Sequence, residues 1–354
     1  MKSNFDNTGI LIKKPVAWLS ADSTEPQIAI SSRIRLARNI ANLKFPITSS
    51  DNERDYILEI ISGACDKVHL FNEKLSFNMS QLSQIERKFL LERHLVSREF
   101  CSGNKGSSLF IDSDESFGLM INEEDHLRMQ IFSPGIKFKA LWENISQKES
   151  LLNNEIPFAF DSKLGFLTSC PTNIGTGIRV SAMLSLPALT LSTQINQIIY
   201  ATGKLGMTVR GLYGEGSEAL GYIYQLSNQS TLGENEEEII GRVGSTVNRM
   251  IQHELDARTL LIQNRRDFLS DFIGRSYAIM RHSYLITEKE ALNALSAIRM
   301  GLDLNMFDSL DMEKVNALFV MVQDAHLQKC LRKELKPPEL DAKRAELIRK
   351  FLIN

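Results

Sequence analysis

The chain lacks an excess of either charge. Its 354 residues hold 41 Lys and Arg against 43 Asp and Glu, a formal net charge of −2, so no broad basic field draws in nucleic acid or an anionic membrane. Cysteine is scarce: Cys65, Cys101, Cys170 and Cys330 stand far apart, without the paired spacing of zinc or redox motifs or the density of a disulfide scaffold. That usage suits a reducing, cytoplasmic setting. Long apolar runs are missing too. The most apolar stretch, residues 183–191, is about half a membrane span and includes Ser185 and Pro187, and the first residues lack the apolar core of a signal peptide. A soluble, unprocessed protein is expected. What remains is ordinary globular composition, 43% hydrophobic and 24% charged, with length enough for two domains.

The pattern along the chain is α+β. Residues 1–26 mix polar residues with Pro15 and Pro26 and read as a loosely structured lead-in with one docked segment. Residues 55–68 and 80–95 repeat apolar side chains every three or four positions, the period of a half-buried helix. From Ser108 the period becomes two, through 109–111, 117–121 and 127–132 with polar turns between, which predicts an antiparallel meander. Further strands are expected at 165–168, 207–212 and 222–226, and helices at 136–145, 176–186 and 193–205. After about Asn235 strand signals vanish, and 236–262, 267–281, 288–302, 312–331 and 338–352 all have helical period. Thr287 with Glu290 forms a capping box, and Pro337-Pro338 precedes a last helix that starts with proline in its first turn.

Four segments could carry chemistry. Ser31-Ser32-Arg33-Ile34-Arg35-Leu36-Ala37-Arg38 places alternate arginines on one side of an extended segment, and two guanidinium forks on one face suit a polyphosphate. Asn122-Glu123-Glu124-Asp125-His126-Leu127-Arg128 sets three carboxylates at a strand-to-strand connection. Thr168 to Arg179 runs from a strand through a Gly- and Thr-rich turn into an expected helix, whose free amides would hold an anion; it is neither a Walker A loop nor a dinucleotide fingerprint. Val209 to Gly221 opens a strand into a loop with four glycines, a composition that permits close backbone approach to a ligand. Singly, these are also what a solvated strand edge, a hairpin tip, a buried small cysteine and a plain surface loop would show.

Together, in this order, SSRIRLAR, NEEDHLR, TSCPTNIGTGIR and VRGLYGEGSEALG, followed by Gln225 to Gln229 and Leu232-Gly233, closely resemble the phosphagen (guanidino) kinases, and within them the bacterial protein-arginine kinases. The resemblance runs from about residue 27 to 257. In the helical region, Gly274 to Tyr277, Ala291 to Asn293 and Gly301 to Leu304 resemble the C-terminal domain of the protein-arginine branch. The resemblance implies a lead-in at 1–26, a catalytic domain at 27–257 built on an antiparallel sheet flanked by helices, and an all-α domain at 258–354 for dimerisation and phosphoarginine binding.

It also implies an activity, the transfer of the γ-phosphoryl group of ATP to a guanidinium nitrogen. A guanidinium stays protonated and is a poor nucleophile, so the family clamps it between two glutamates, which fall on Glu124 and Glu215, with Glu124 the favoured general base. Cys170 matches a cysteine beside the guanidinium that tunes and positions the substrate without forming a covalent intermediate. Ser31, Ser32, Arg33, Ile34, Arg35, His94, Arg128, Arg179, Val180, Ser181, Ala182, Met183, Arg210, Gly211, Leu212, Tyr213 and Gly214 fall on the nucleotide side, where fixed cations and Mg²⁺ offset the charge of phosphoryl transfer. No dedicated metal cage is expected, because the nucleotide's phosphates and water hold the Mg²⁺, which Glu123 reaches through water.

Thirty residues precede Ser31, where kinases of small guanidines carry a whole helical domain, and the open pocket this leaves implies arginine within polypeptides as substrate. The resembling kinases act with a zinc-binding activator protein, a Clp unfoldase and protease and a heat-shock repressor, in protein quality control and stress response, as homodimers. An Arg-Asp-x-x-Arg-Ala motif reads phosphoarginine in that branch. Here the stretch is Leu340-Asp341-Ala342-Lys343-Arg344-Ala345, which retains Asp341 and Arg344 but not the leading arginine. Two rival readings remain: a kinase of free arginine or another small guanidine, and a catalytically silent phosphoarginine-binding adaptor.

Overall fold

The computed structural model describes residues 4–19, 27–211, 219–308 and 310–353. In chain order, helix α1 (Asn4–Leu11) leads to strand β1 (Ala29–Arg38), helix α2 (Asp51–Lys67), strand β2 (Lys74–Asn78) and helix α3 (Gln84–Glu92). The meander β3 (Ser108–Asp112), β4 (Phe117–Ile121) and β5 (Leu127–Pro134) follows, then α4 (Phe138–Glu155) and the short strands β6 (Phe160–Asp161) and β7 (Gly165–Phe166). Next come β8 (Ile178–Ser185), α5 (Pro187–Leu191), α6 (Ile195–Gly203), β9 (Met207–Gly211) and β10 (Ile223–Asn228). The chain ends in helices α7 (Glu236–Asn264), α8 (Arg266–His282), α9 (Glu288–Asp303), α10 (Met312–Met321), α11 (Asp324–Leu331) and α12 (Pro337–Ile353). The strand order of the large sheet is β2-β3-β4-β5-β1-β8-β10-β9. The fold is α+β with an antiparallel meander and a helical C-terminal region, as the periodicity indicates.

The chain divides into two compact units, Met1–Trp18 with Ser32–Ser181 and Ser227–Gly244, and Leu19–Ser31 with Ala182–Leu226 and Ser245–Asn354. In the first unit β2, β3, β4 and β5 pair antiparallel in sequence, with Phe77 opposite Leu109, Leu109 opposite Met120 and Leu119 opposite Met129. These side chains are almost wholly buried, joined by Ile57 and Ile61 from α2 and Leu141 and Ile145 from α4. Along β1, Ile34 and Leu36 are sealed in the core while Arg33 and Arg35 alternate with them and stay partly open, the two-residue period of a strand at work. The lead-in is more ordered than its composition suggests. It forms α1, and both Leu11 and Trp18 are buried, because each supplies a large apolar side chain that the unit can cover.

One expected element differs in kind. Residues 176–186 read as a helix, yet 178–185 is strand β8, in which every residue except Arg179 is buried. A strand in the middle of a sheet loses its in/out alternation, so a short apolar run cannot be told from a buried helix by period alone. The turn after Cys170, a single 3-10 turn at Pro171–Asn173, therefore feeds a strand, and the expected α-helix does not start there. The expected helix at 312–331 is two, α10 and α11, and β2 was not anticipated.

In the second unit α9 is the centre. Ten of its residues, Ala291, Leu292 and the unbroken run from Ala294 to Gly301, are buried, which small side chains such as Ala294, Ala297 and Gly301 permit. A polar cross-link closes this unit. Glu254 accepts from the backbone N–H groups of Ala188 and Leu189 at 3.0 Å, Arg258 Nε donates to Glu254 at 2.9 Å, and Arg258 Nη1 donates to Asp303 at 2.8 Å. The capping box at Thr287 and Glu290 forms, and α12 opens on Pro337 and Pro338. No helix among the described residues is long and apolar enough to cross a membrane.

Gly177 has φ of +61°, and a Cβ there would lie 2.5 Å from Arg38 Nη1 and 2.7 Å from the Ala37 carbonyl oxygen. Gly177→Ala is expected to destabilise the protein by about 1–3 kcal/mol, because a left-handed backbone and a filled neighbour both oppose the methyl group; the shift of the urea midpoint measures it.

Candidate active site

In the first unit, β1, β5 and β8 bring four arginines within electrostatic reach of one another. Burial, then the charges of Arg128 and Arg179, pull Arg33 down to about 9. Burial followed by Arg33, Arg128 and Arg179 holds Arg35 well below the ordinary arginine range, with Glu123 opposing. A guanidinium does not give up its proton in practice, so these shifts express first the cost of burying the charges and then that of crowding them, and a bound polyanion would relieve the crowding. Arg33 donates to Ser181 Oγ at 3.4 Å and lies over the Phe132 ring. Arg179 donates to Ser227 Oγ at 3.0 Å, and Val180 N–H to Asn228 Oδ1 at 2.8 Å. Among the described residues the Arg35 Nε is buried without a hydrogen-bond partner. Ser32 Oγ accepts from Lys137 N–H at 3.1 Å, and Ile34 is core.

One carboxylate sits inside this cluster. Glu123 accepts from Arg128 Nη1 at 2.5 Å and from Ser97 Oγ. Burial alone would raise its pKa, but Arg128, Ser97 and Arg35 outweigh burial and the carboxyl lies below its usual range. Burial likewise works against the charge on Arg128, while Glu123, Glu124 and Asp125 raise its pKa overall. Glu123 is thus a fixed counterion of the arginines. Among the described residues no group of three or more His, Cys, Asp and Glu is placed to hold a metal ion.

Glu124, the next residue, faces solvent at the turn between β4 and β5. Partial desolvation and the neighbouring charges of Asp125, Glu123 and Glu99 push its carboxyl above the ordinary value, against Arg128. Its carbonyl oxygen accepts from Ser169 Oγ at 2.7 Å, which joins the turn to the segment bearing Cys170. Cys170 is half-buried, its Sγ 3.1 Å from Thr172 Oγ1. The acidic turn and the cysteine segment, 46 residues apart in sequence, are therefore adjacent in space.

His94 is buried, its ring edge-on to Trp18 at 4.7 Å between centroids, and burial followed by the charge of Arg33 pushes it down to about 3. Ser31, Ala182, Met183, Arg210 and Gly211 belong to the second unit, where Ser31, Ala182, Met183 and Gly211 are buried and Arg210 is half-exposed on β9. Leu212, Tyr213, Gly214 and Glu215 lie outside the described residues. Arg344 is buried in the second unit, where Nε donates to the Val322 carbonyl at 2.6 Å, Nη1 to Asp341 at 2.6 Å and to the Ile286 carbonyl at 2.7 Å, and Nη2 to Asp324 at 2.5 Å. Leu340 packs with Leu327, Leu335 and Leu347. Sequence reasoning missed Ser97, Phe132, Ser227, Asn228 and Trp18. A serine or phenylalanine carries no local signal for a partner dozens of residues away, although Ser227 and Asn228 lie in a stretch already singled out.

Residues 57–257 match the family described as ATP:guanido phosphotransferase, C-terminal catalytic domain, more than half of the chain. The chain belongs to that family. Residues 266–354 match the protein-arginine kinase McsB C-terminal domain. The protein-arginine kinase of Halothermothrix orenii is 40% identical over 341 residues, covering 96% of this chain and 97% of its own. That of Geobacillus stearothermophilus is 41% identical over 340 residues, covering 95% and 93%. A lombricine kinase crystal structure, 23% identical, superposes over 71% of each chain with a TM-score of 0.57, which speaks to the fold. A duplicated taurocyamine kinase from Schistosoma mansoni with bound transition-state-analogue components matches 81% of this chain and 42% of its own at 26% identity and TM-score 0.57. The protein is thus a phosphotransferase by family.

The shift of His94 has a measurable sign. An unfolded histidine takes up its proton near pH 6.5 and the folded one only near pH 3, so the unfolded chain binds more protons between those values. The stabilising contribution is complete above about pH 6.5 and is lost as pH falls. His94→Asn, which tolerates the positive φ of 58° and does not titrate, is expected to flatten the acid limb of stability between pH 6.5 and 3, read from denaturant midpoints across that range.

Proposed function

We propose that this protein transfers the γ-phosphoryl group of ATP to arginine guanidinium groups of protein substrates. The observation that carries the reading is the crowding of Arg33, Arg35, Arg128 and Arg179 beside the buried carboxylate of Glu123, next to the turn that presents Glu124 and its link to the Cys170 segment. Guanidinium forks gathered on neighbouring strands suit the oxygens of a polyphosphate in geometry and sign. The relatives named protein-arginine kinase, alike over nearly their whole length, add the substrate.

On this reading the arginines of β1, β5 and β8 grip the phosphates, with Arg210 and the segments 31–35, 179–183 and 210–214 completing the nucleotide side and His94 behind Arg33. Glu124 and Glu215 clamp the substrate guanidinium. Glu124 takes the proton as the nitrogen attacks, a task matched to a carboxyl whose pKa lies above the ordinary glutamate value. Cys170 Sγ holds the substrate from the side. Magnesium would arrive on the nucleotide, held by phosphate oxygens and water, and would supply neutralisation of the transferring charge. Protein clients, a zinc-binding activator, a Clp unfoldase and protease and a heat-shock repressor belong to the same proposal, as do a cytoplasmic, homodimeric enzyme and a role in protein quality control. A phosphoarginine read by Asp341 and Arg344 would compete with Asp324 for the Arg344 guanidinium.

The test is incubation of the purified protein with ATP, Mg²⁺ and an arginine-rich protein, scoring acid-labile, alkali-stable phosphate by mass spectrometry. Glu124→Ala and Glu215→Ala are each expected to lower the rate by about 100- to 1,000-fold with nucleotide binding retained, the scale of a lost general base or clamp. Because only ionised Glu124 accepts a proton, the wild-type rate is expected to fall on the acid side through an apparent pKa above the ordinary value of about 4.3. Turnover of free arginine without protein labelling would favour the small-guanidine reading, and no turnover of either the adaptor.

A further inference from the structure

Between Glu124 and Cys170 stands a buried side chain that the proposed chemistry leaves unused. Asp125 is 2% exposed, and a single carboxylate oxygen, Oδ1, accepts two hydrogen bonds, from Asn39 Nδ2 at 2.6 Å and from the Ser169 N–H at 2.7 Å. Ser169 answers with its hydroxyl, which donates to the Glu124 carbonyl at 2.7 Å. Both bonds run the same way, with Ser169 donating its amide and its hydroxyl to the acidic turn. They act one residue from each functional side chain, because Asp125 follows Glu124 and Ser169 precedes Cys170.

Asn39 ties this joint to a third segment. It follows Arg38 at the end of β1, the strand that carries Arg33 and Arg35. Its Nδ2 also donates to the Leu167 carbonyl at 3.1 Å, its Oδ1 accepts from His126 N–H at 2.9 Å, and its own carbonyl accepts from Ala159 N–H at 2.7 Å. His126 closes the circle: Nδ1 accepts from Ile40 N–H at 3.0 Å, which leaves Nε2 to donate to the Lys44 carbonyl at 2.9 Å. All four residues belong to the first unit.

We infer that Asp125 is a positioning residue of the acceptor site: its doubly bonded oxygen, with Asn39 and Ser169, sets the spacing of the Glu124 turn and the Cys170 segment against β1. The inference rests on the proposed function for its catalytic consequence, though not for its geometry. A charged oxygen accepting two N–H groups in a buried place makes strong, directional bonds. Burial pushes the carboxyl up while the Ser169 and Asn39 bonds oppose it. An amide oxygen of the same shape can accept both bonds as well, so the joint depends on the acceptor's position more than on its charge.

Asp125→Ala, Asp125→Asn and Ser169→Ala separate this role from a general structural one through two readouts. The first is arginine phosphorylation of a protein substrate, with KM measured separately for the protein and for ATP. The second, independent of catalysis, is the rate of Cys170 alkylation by iodoacetamide, resolved by peptide mass spectrometry. Asp125→Ala is expected to lower kcat/KM for the protein substrate by about 100-fold, the cost of misplacing a reacting group by about an ångström, with KM for ATP unchanged and Cys170 alkylation accelerated. Asp125→Asn, which keeps the acceptor, is expected to stay near wild type in both. Ser169→Ala, which removes one partly exposed hydrogen bond and keeps the core intact, is expected to lose about three- to tenfold, and it carries the test if Asp125→Ala does not fold. The inference is overturned if Asp125→Asn is as impaired as Asp125→Ala, if KM for ATP rises in step with that for the protein, or if the alkylation rate is the same in all variants. A wild-type protein inert toward arginine would sink the proposed function, and the alkylation arm would still decide the joint.

Discussion

Four guanidinium groups gathered on one face of a sheet repel each other, and much of the first unit is organised to hold them there. Strands β1, β5 and β8 supply the rigidity. Ile34 and Leu36 fill the core on one side of β1 so that Arg33 and Arg35 must emerge on the other, and Arg179 is the one half-open residue of a strand otherwise buried. Glu123 offsets part of the charge from within, and Ser97 helps hold it. Such a face is costly without an anion, since burial and mutual repulsion both act against the charged forms. Binding a polyanion there would remove that cost.

Elsewhere the molecule uses buried ionic cross-links. Arg38, wholly buried, donates to Glu149 at 2.7 Å and to the Thr176 carbonyl at 2.9 Å and lies 3.5 Å from the centre of the Phe166 ring, which pins the loop between Cys170 and Arg179. Arg93 donates to Glu115 at 2.6 Å. In the second unit, Arg258 spans Glu254 and Asp303, and Arg344 spans Asp324 and Asp341. Such pairs add little net stability over apolar packing, but breaking one partner leaves a buried charge uncompensated. They therefore act as joints that specify one arrangement of loops and helices.

Much of the fold was legible because local rules were obeyed. The meander showed its period of two, the amphipathic helices their period of 3.6, and the box at Thr287 and Glu290 formed as read. The same pattern, Ser50 with Glu53 and Ser83 with Glu86, caps α2 and α3 and was equally readable. Strand β8 was misread because burial on both faces erases alternation. The five residues missed around the site share one property: each matters through a partner far away in sequence.

The chain by itself determined which chemical groups are available, in what order, and on which elements most of them would ride, because composition and periodicity are properties of neighbours along the chain. It carried Arg33 and Arg35 on one side of a strand and Glu123, Glu124 and Asp125 at a turn. Only the tertiary structure decided that Glu123 would neutralise Arg128 while Glu124 faced solvent, and that Asp125 would reach across to Ser169 and Asn39. Three adjacent carboxylates look alike in a sequence. Their pKa values shift in different directions and their partners differ because burial, charge and hydrogen bonding act through space, between segments that the sheet brings together.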